Sequence, residues 1–262
     1  MLRQRIITAL LLAPLALLVI LWVPHPVTMA VFALLVLAGA WEWAAFPGFA
    51  SVPARSAYVV AIGAALAVCW FSAGAFNAWI LNAAILWWLF AFFWIVFLPT
   101  RMSRALGVLA GFAVLVPAWV ALVALHERDP NLVLFVLLLV VAADVGAYFG
   151  GRQFGRHKLA PKVSPGKTWE GVFGGFVAAA LMAFVGVAWF KVDALPFLAV
   201  CALVVVASIV GDLTESLFKR HAGLKDSGSL LPGHGGVLDR VDSVTAAAPV
   251  FLVSLELLGL LA

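Results

Sequence analysis

The sequence predicts an all-α, polytopic integral membrane protein of about nine transmembrane helices, with two polar loops on the cytoplasmic side. Three observations predict it: the composition, the lengths of the apolar runs and the distribution of basic residues. Of 262 residues, 66% are apolar and 11% charged, against roughly 25% charged in an ordinary soluble domain. With 20 Phe, 11 Trp and a mean hydropathy of +1.16, disorder and soluble enzyme folds are excluded. A helix crossing the hydrocarbon core needs about 20 residues. The length therefore holds nine such helices with short connections, and a separate soluble domain does not fit. One membrane domain, 1–262, is expected, with the chemistry in residues 131–262.

The first apolar run, 6–23, follows Arg3 and Arg5. It exceeds the roughly 7–15 residues of a secretory apolar region, so it is read as a retained helix rather than a cleaved signal. Proline-rich breaks at 24–26 and 47–53 bound the second run, 27–46, which carries Trp41-Glu42-Trp43. Glu42 falls near the cytoplasmic end and is expected to pair with basic residues there. The third and fourth runs, 57–74 and 78–98, lead to a break at 99–104; the fifth and sixth, 105–125 and 131–150, are divided by the polar stretch 127–131. The polar stretch 151–169 precedes the seventh and eighth runs, 170–190 and 195–217, and 218–242 precedes the ninth, 243–262. Pro14, Pro117 and Pro249 are read as kinks, because neighbouring helices can satisfy the carbonyls they free. Cys69 and Cys201 each lie inside an apolar run, as small buried hydrophobes rather than a disulfide or metal site. No internal repeat is visible.

Assigning loops to alternate sides puts 14 of the 16 Lys and Arg on one side, leaving Arg128 and Lys191 on the other. The positive-inside rule then places the N-terminus and both long polar loops in the cytoplasm and the C-terminus outside. His25 and His126 fall in turns on the outer side, and Glu256, in the outer half of the last helix, has no evident partner.

Positive-inside bias explains scattered arginines in short loops. It does not explain nine basic residues sharing two loops with Gly, Pro, Ser and carboxylates, a composition suited to holding phosphates. In the first stretch Asp144 lies about 9 Å, six residues, inside the cytoplasmic end of its helix. A carboxylate at that depth costs a few kcal/mol unless paired or bound to a cation. Beyond it come Tyr148, Gly150-Gly151-Arg152, Lys158, Ser164 and Lys167. Gly166-Lys167-Thr168 is no phosphate-binding P-loop, since position 161 is Pro where that motif needs Gly. Instead, a chain of donors and cations leads into a helix N-terminus, where the dipole favours anions. Glu170 in that first turn is read as an ordinary dipole-matched residue.

The second stretch is denser. Asp212, Ser216 and Lys219 stand at i, i+4 and i+7 on one helical face, and Asp239 and Asp242 at i, i+3 on another. Carboxylates from separate helices meeting at the membrane boundary make a hard-oxygen site for Mg²⁺, which uses one or two carboxylates together with substrate phosphates and water. His234 is flanked by Gly233 and Gly235-Gly236, where backbone can approach a ligand; a metal ligand, a phosphate donor and a turn are the readings, with substrate contact favoured over a core role. His221 is left undecided.

The run Ser216-x-Phe218-Lys219-Arg220, then Lys225-Asp226-x-Gly228, then Leu231-Pro232-x-His234-Gly235-Gly236-Val237-x-Asp239-Arg240-Val241-Asp242 resembles the signature of the phosphatidate cytidylyltransferase, or CDP-diacylglycerol synthase, family. Asp144, Tyr148, Gly150-Gly151-Arg152 and Ser164-Pro165-x-Lys167-Thr168-Trp169-Glu170-Gly171 resemble its second conserved region, with Gly166 where many members carry Lys. The resemblance implies Mg²⁺-dependent reaction of CTP with phosphatidate at the cytoplasmic face of a bacterial inner membrane, giving CDP-diacylglycerol and pyrophosphate, by a homodimer. Such a transfer rests on positioning and charge neutralisation. Asp144, Asp212, Asp239 and Asp242 are then the expected metal ligands. Lys167, Lys219, Arg220, Lys225 and Arg240 would hold phosphates, with Arg152, Lys158, Ser164, Ser216, His234, Gly235 and Gly236 as further substrate contacts. Two other classes share some of these features: a lipid kinase that uses CTP, and a secondary transporter. Against the transporter, the acids cluster at one membrane boundary rather than at the midplane.

Overall fold

The computed structural model describes residues 2–72, 74–97, 103–230 and 235–260, with side chains from residue 12 onward. Among them the chain forms nine helices: α1 (Leu2–Trp22), α2 (His25–Trp43), α3 (Val52–Ser72), α4 (Ala75–Phe97), α5 (Arg104–Arg128), α6 (Pro130–Phe154), α7 (Trp169–Phe190), α8 (Ala194–His221) and α9 (Leu238–Leu257). Seven of them, α2 to α8, are long and apolar enough to cross a membrane. The expected runs map onto these helices one to one, and all three interior prolines lie within helices.

Local chemistry sets several ends. Ser103 caps α5 by accepting from Leu106 N at 3.2 Å. Asp129 caps α6 by accepting from Asn131 N at 2.9 Å, with Pro130 at the first helical position, where a missing N–H costs nothing. Several ends differ from expectation: α3 starts at Val52 rather than 57, and α6 and α8 run on to Phe154 and His221 rather than 150 and 217. The stretch after the sixth helix is not all loop: it holds an antiparallel hairpin, β1 (Lys158–Ala160) and β2 (Ser164–Thr168), pairing Lys158 with Thr168 and Ala160 with Ser164. Pro165 and Gly166 disfavour helix, so the strand holds until Thr168 caps α7 by accepting from Gly171 N. The last helix starts at Leu238 rather than 243 and stops at Leu257, where Gly259 takes a φ of +62°, a conformation glycine adopts without strain.

Contacts between distant residues sort the helix ends into two sets. At one end His25 and His126 stack with their Nδ1 atoms 2.8 Å apart, His126 Nε2 lies 2.9 Å from the Ile20 carbonyl, and Arg128 pairs with Glu256. At the other, Trp43 Nε1 donates to Gly107 O and its ring packs on Phe218. This sorting is what antiparallel alternation of successive helices requires. It also gives Glu256 the partner the sequence did not reveal, and makes the two histidines packing residues that tie α1, α2 and α5 together.

The core lies around α9. Of its 20 residues, 13 are buried, against α5, α8, α6 and α4. It is polar at its start yet central, and these go together, because a helix surrounded by protein meets partners rather than lipid. Small residues allow close approach: Ala246, Ala247 and Ala248 are wholly buried, and a Cβ on Gly211 of α8 would stand 2.6 Å from the Asp242 carbonyl. The same device joins α6 to α7, where a Cβ on Gly174 would stand 2.6 Å from the Gly146 carbonyl. By contrast α7 turns Phe173, Leu181 and Phe184 outward, and α4 turns Trp79 and Phe93 outward, as lipid-facing helices do.

Candidate active site

The α6–α7 seam, α8 and the hairpin enclose an open cavity of ≈ 440 Å³. Its polar wall carries Asp144 from α6, Lys167 from β2 and Asp212 from α8, with Tyr148 and Arg152 at the rim; Val172, Val205 and Ile209 line the apolar side. Lys167 Nζ lies 2.7 Å from Asp212 Oδ2, and Ser216 Oγ donates to Asp212 Oδ1 at 3.3 Å. Arg152 donates to the Tyr148 hydroxyl at 3.0 Å. The hairpin creates this geometry: it carries Lys167 back over the α6 terminus, and Trp169 N donates to His157 O at 2.9 Å to close it.

A second constellation lies between α8, α9 and the loop joining them. Lys219 Nζ stands 2.7 Å from Asp239 Oδ1 and 3.2 Å from Glu215 Oε1. Asp239 Oδ2 also accepts from Ser227 N at 3.0 Å and Gly236 N at 2.9 Å, so its oxygens are fully engaged. Gly235, at φ +83°, brings its backbone beside the same carboxylate. Asp242 and Glu215 line the same small gap between α8 and α9, and Asp242 Oδ1 accepts from Ser243 N at 2.7 Å.

The four expected ligands are thus divided. Asp144 and Asp212 share the cavity, Asp239 is tied into the loop, and Asp242 stands with Glu215. Among the described residues no three His, Cys, Asp or Glu side chains converge as a ready-made metal site. The donor chemistry nevertheless suits a hard cation. Glu215 is 2% exposed and, among the described residues, neither of its oxygens has a hydrogen-bond donor; Asp242 lies beside it, and Lys219 is its one ion-pair partner among those residues. Carboxylates outnumber cations here, and Mg²⁺ takes one or two carboxylates and completes its shell with phosphates and water.

The other expected contacts scatter. Lys158 and Ser164 lie on the hairpin but outside the cavity lining. Arg220 and Lys225 are exposed at the mouth of the loop and form no ion pair among the described residues. Arg240 is exposed on the first turn of α9, Gly236 is buried against Ser227 and Glu42, and His234 lies outside the described residues. His221 caps nothing in the site; its Nδ1 lies 2.8 Å from Leu217 O on its own helix. Glu170 does more than match a dipole, since it holds His157 through ring and backbone at 2.6 and 3.2 Å.

Sequence reading missed two acids. Glu215 was signalled by standing four residues before Lys219, on one helical face. Among the described residues Glu42 pairs with no basic side chain: it is 2% exposed and accepts from Ser227 Oγ, Val237 N and Leu238 N at 3.1, 3.0 and 2.9 Å. Its signal was a lone acid inside an apolar helix.

The sequence profile of the cytidylyltransferase family matches residues 3–258. The chain is 44% identical to the phosphatidate cytidylyltransferase of Pseudomonas aeruginosa over 284 residues, covering 99% of this chain and 98% of that protein. It is 37% identical to the phosphatidate cytidylyltransferase of Haemophilus influenzae, over 96% and 97% of the two chains. A shorter match, 44% identical over 125 residues, covers 47% of this chain and 48% of the phosphatidate cytidylyltransferase of Staphylococcus epidermidis. The resemblance seen in the motifs extends to nearly the whole length, and the chain belongs to the cytidylyltransferase family.

Proposed function

We propose that the chain transfers the cytidylyl group of CTP to phosphatidate, giving CDP-diacylglycerol and pyrophosphate. Near-full-length likeness to phosphatidate cytidylyltransferases supports the reaction. The observation that carries its location is the cavity that joins an apolar wall to Asp144, Lys167 and Asp212 at the end of the bundle. A lipid phosphate lies at headgroup level and a nucleotide arrives from the cytosol, so the site must open on both.

An anionic oxygen of phosphatidate attacks the α-phosphorus of CTP; the new P–O bond forms as the α–β bridge breaks and pyrophosphate leaves with its electron pair. No strong base is required. Lys167 and Arg152 hold phosphate oxygens at the cavity, Arg220, Lys225 and Arg240 meet the triphosphate from the loop side, and Ser216 orients Asp212. Lys158, Ser164, Gly235, Gly236 and His234 remain further substrate contacts, while Lys219 and Asp239 hold the loop that presents them. Mg²⁺, held by Asp144, Asp212 and Asp242 in this reading, with Asp239 the fourth candidate, would neutralise charge on the phosphates.

All nine helices cross a bacterial inner membrane in this reading, with the N-terminus and the site in the cytoplasm, and two copies associate. Purified protein in detergent micelles, given cytidine-labelled CTP and phosphatidate, is expected to put the label on lipid only when Mg²⁺ is present. Label confined to free nucleotide, as a CTP-using lipid kinase would leave it, overturns the reaction. Ser229→Cys, on the exposed loop, should stay unlabelled by an impermeant reagent in right-side-out vesicles.

A further inference from the structure

We infer that Glu42 is a positioning residue for the transfer: from α2, it supplies the N-terminal cap of α9 and so fixes the turn that carries Asp239 and Asp242. This rests on the transferase reading of the site. Helix α9 begins without a cap of its own, because Val237 occupies the N-cap position and offers no side-chain acceptor. Valine is among the poorest residues there, and an uncapped buried terminus leaves N–H groups without partners. Glu42 Oε1 and Oε2 accept from Val237 N and Leu238 N, 195 and 196 residues away in sequence. A carboxylate at this position also meets the positive end of the helix dipole.

The third donor extends its reach. Ser227 Oγ donates to Glu42 while Ser227 N donates to Asp239, so one loop residue couples the two carboxylates. The packing leaves no latitude: a Cβ on Gly236 would stand 2.5 Å from Glu42 Oε2, and one on Gly228 2.7 Å from its Cδ. Glu42 does not line the cavity, so it acts through the turn and not on substrate. A glutamine would turn an N–H toward N–H groups, release the first turn of α9 and displace both Asp239, which braces the loop, and Asp242, the candidate metal ligand one turn further on.

The test compares Glu42→Gln with the unaltered protein in micelles, by kinetics and by amide hydrogen exchange. The expected result is a kcat about 10- to 100-fold lower, the scale of an ångström-level misplacement, with both KM values within about twofold. Exchange at Val237 and Leu238 should rise about tenfold, while α5 and the later turns of α9 keep their protection. An unchanged kcat overturns the inference, as does faster exchange throughout the bundle, which would make Glu42 a general structural residue. If Glu42→Gln fails to insert, Ser227→Ala decides, since it removes one of the three donors: kcat should fall about threefold to tenfold, and unchanged kcat with unchanged exchange overturns the inference. Were the unaltered protein to make no CDP-lipid, the transferase reading would fail, and the exchange arm would still judge the cap.

Discussion

Lys167–Asp212 and Lys219–Asp239 are both lysine–aspartate pairs with a 2.7 Å separation, and α8 contributes to each, seven residues apart on one face. Lys167 and Asp212 keep 25% and 29% of their side-chain surface open to the cavity. Lys219 and Asp239 keep 11% and 9%, with backbone donors on the remaining lone pairs. A pair open to solvent gains little from its own attraction and exchanges partners readily. A buried, saturated pair cannot exchange without leaving a charge unpaired in a low dielectric. The first can give up its contact to a phosphate or a cation; the second is a brace. Distance alone would have assigned them the same role.

The comparison makes its largest prediction at the brace. Lys219→Met leaves Asp239 and Glu215 without their shared cation, and is expected to cost about 3–5 kcal/mol, seen as a lower thermal unfolding midpoint in detergent and loss of turnover. A Lys219→Met protein as stable as the unaltered one would put both pairs in one class. At the cavity the effect should invert. Lys167→Ala should slow turnover about 10²–10³-fold, as removal of a charge-stabilising donor does, while stability moves by less than about 1 kcal/mol. Correct insertion with near-normal turnover would remove Lys167 from the site. The smallest effect is expected at Arg128–Glu256, whose side chains are 41% and 40% exposed at the opposite end of the bundle. Arg128→Gln should leave turnover unchanged and stability within about 1 kcal/mol; a larger change would mean that exposure is not what separates these pairs.

Much of the fold was legible because a bilayer imposes one length on every helix and forbids unpaired backbone between them. The run lengths therefore located α2 to α8 to within about five residues at each end, and alternate loops carried the basic residues on one side. The site residues were legible as groups on single helices: Asp212, Ser216 and Lys219 do share a face, and Ser216 does donate to Asp212. The hairpin was less legible, since five residues of Ser-Pro-Gly-Lys-Thr carry no alternating pattern, and its pairing depends on where α6 ends. The start of α9 was read two ways: hydropathy put Asp239-Arg240-Val241-Asp242 in the loop, while the i, i+3 spacing of Asp239 and Asp242 put them on a helical face, and the structure has them helical, with a distant carboxylate accepting from the first N–H groups.

By itself the sequence determined the helices, the side on which charge gathers and which polar groups share a helical face, because periodicity and hydropathy act within one segment. Only the tertiary structure decided that Asp144 joins Asp212 while Asp239 is locked to Lys219, that Glu42 serves α9, and that the most polar helix lies at the centre. Those outcomes depend on how closely two helices approach, which the glycine and alanine contacts at Gly146–Gly174 and Gly211–Ala246 set. No residue's neighbours along the chain carry that distance.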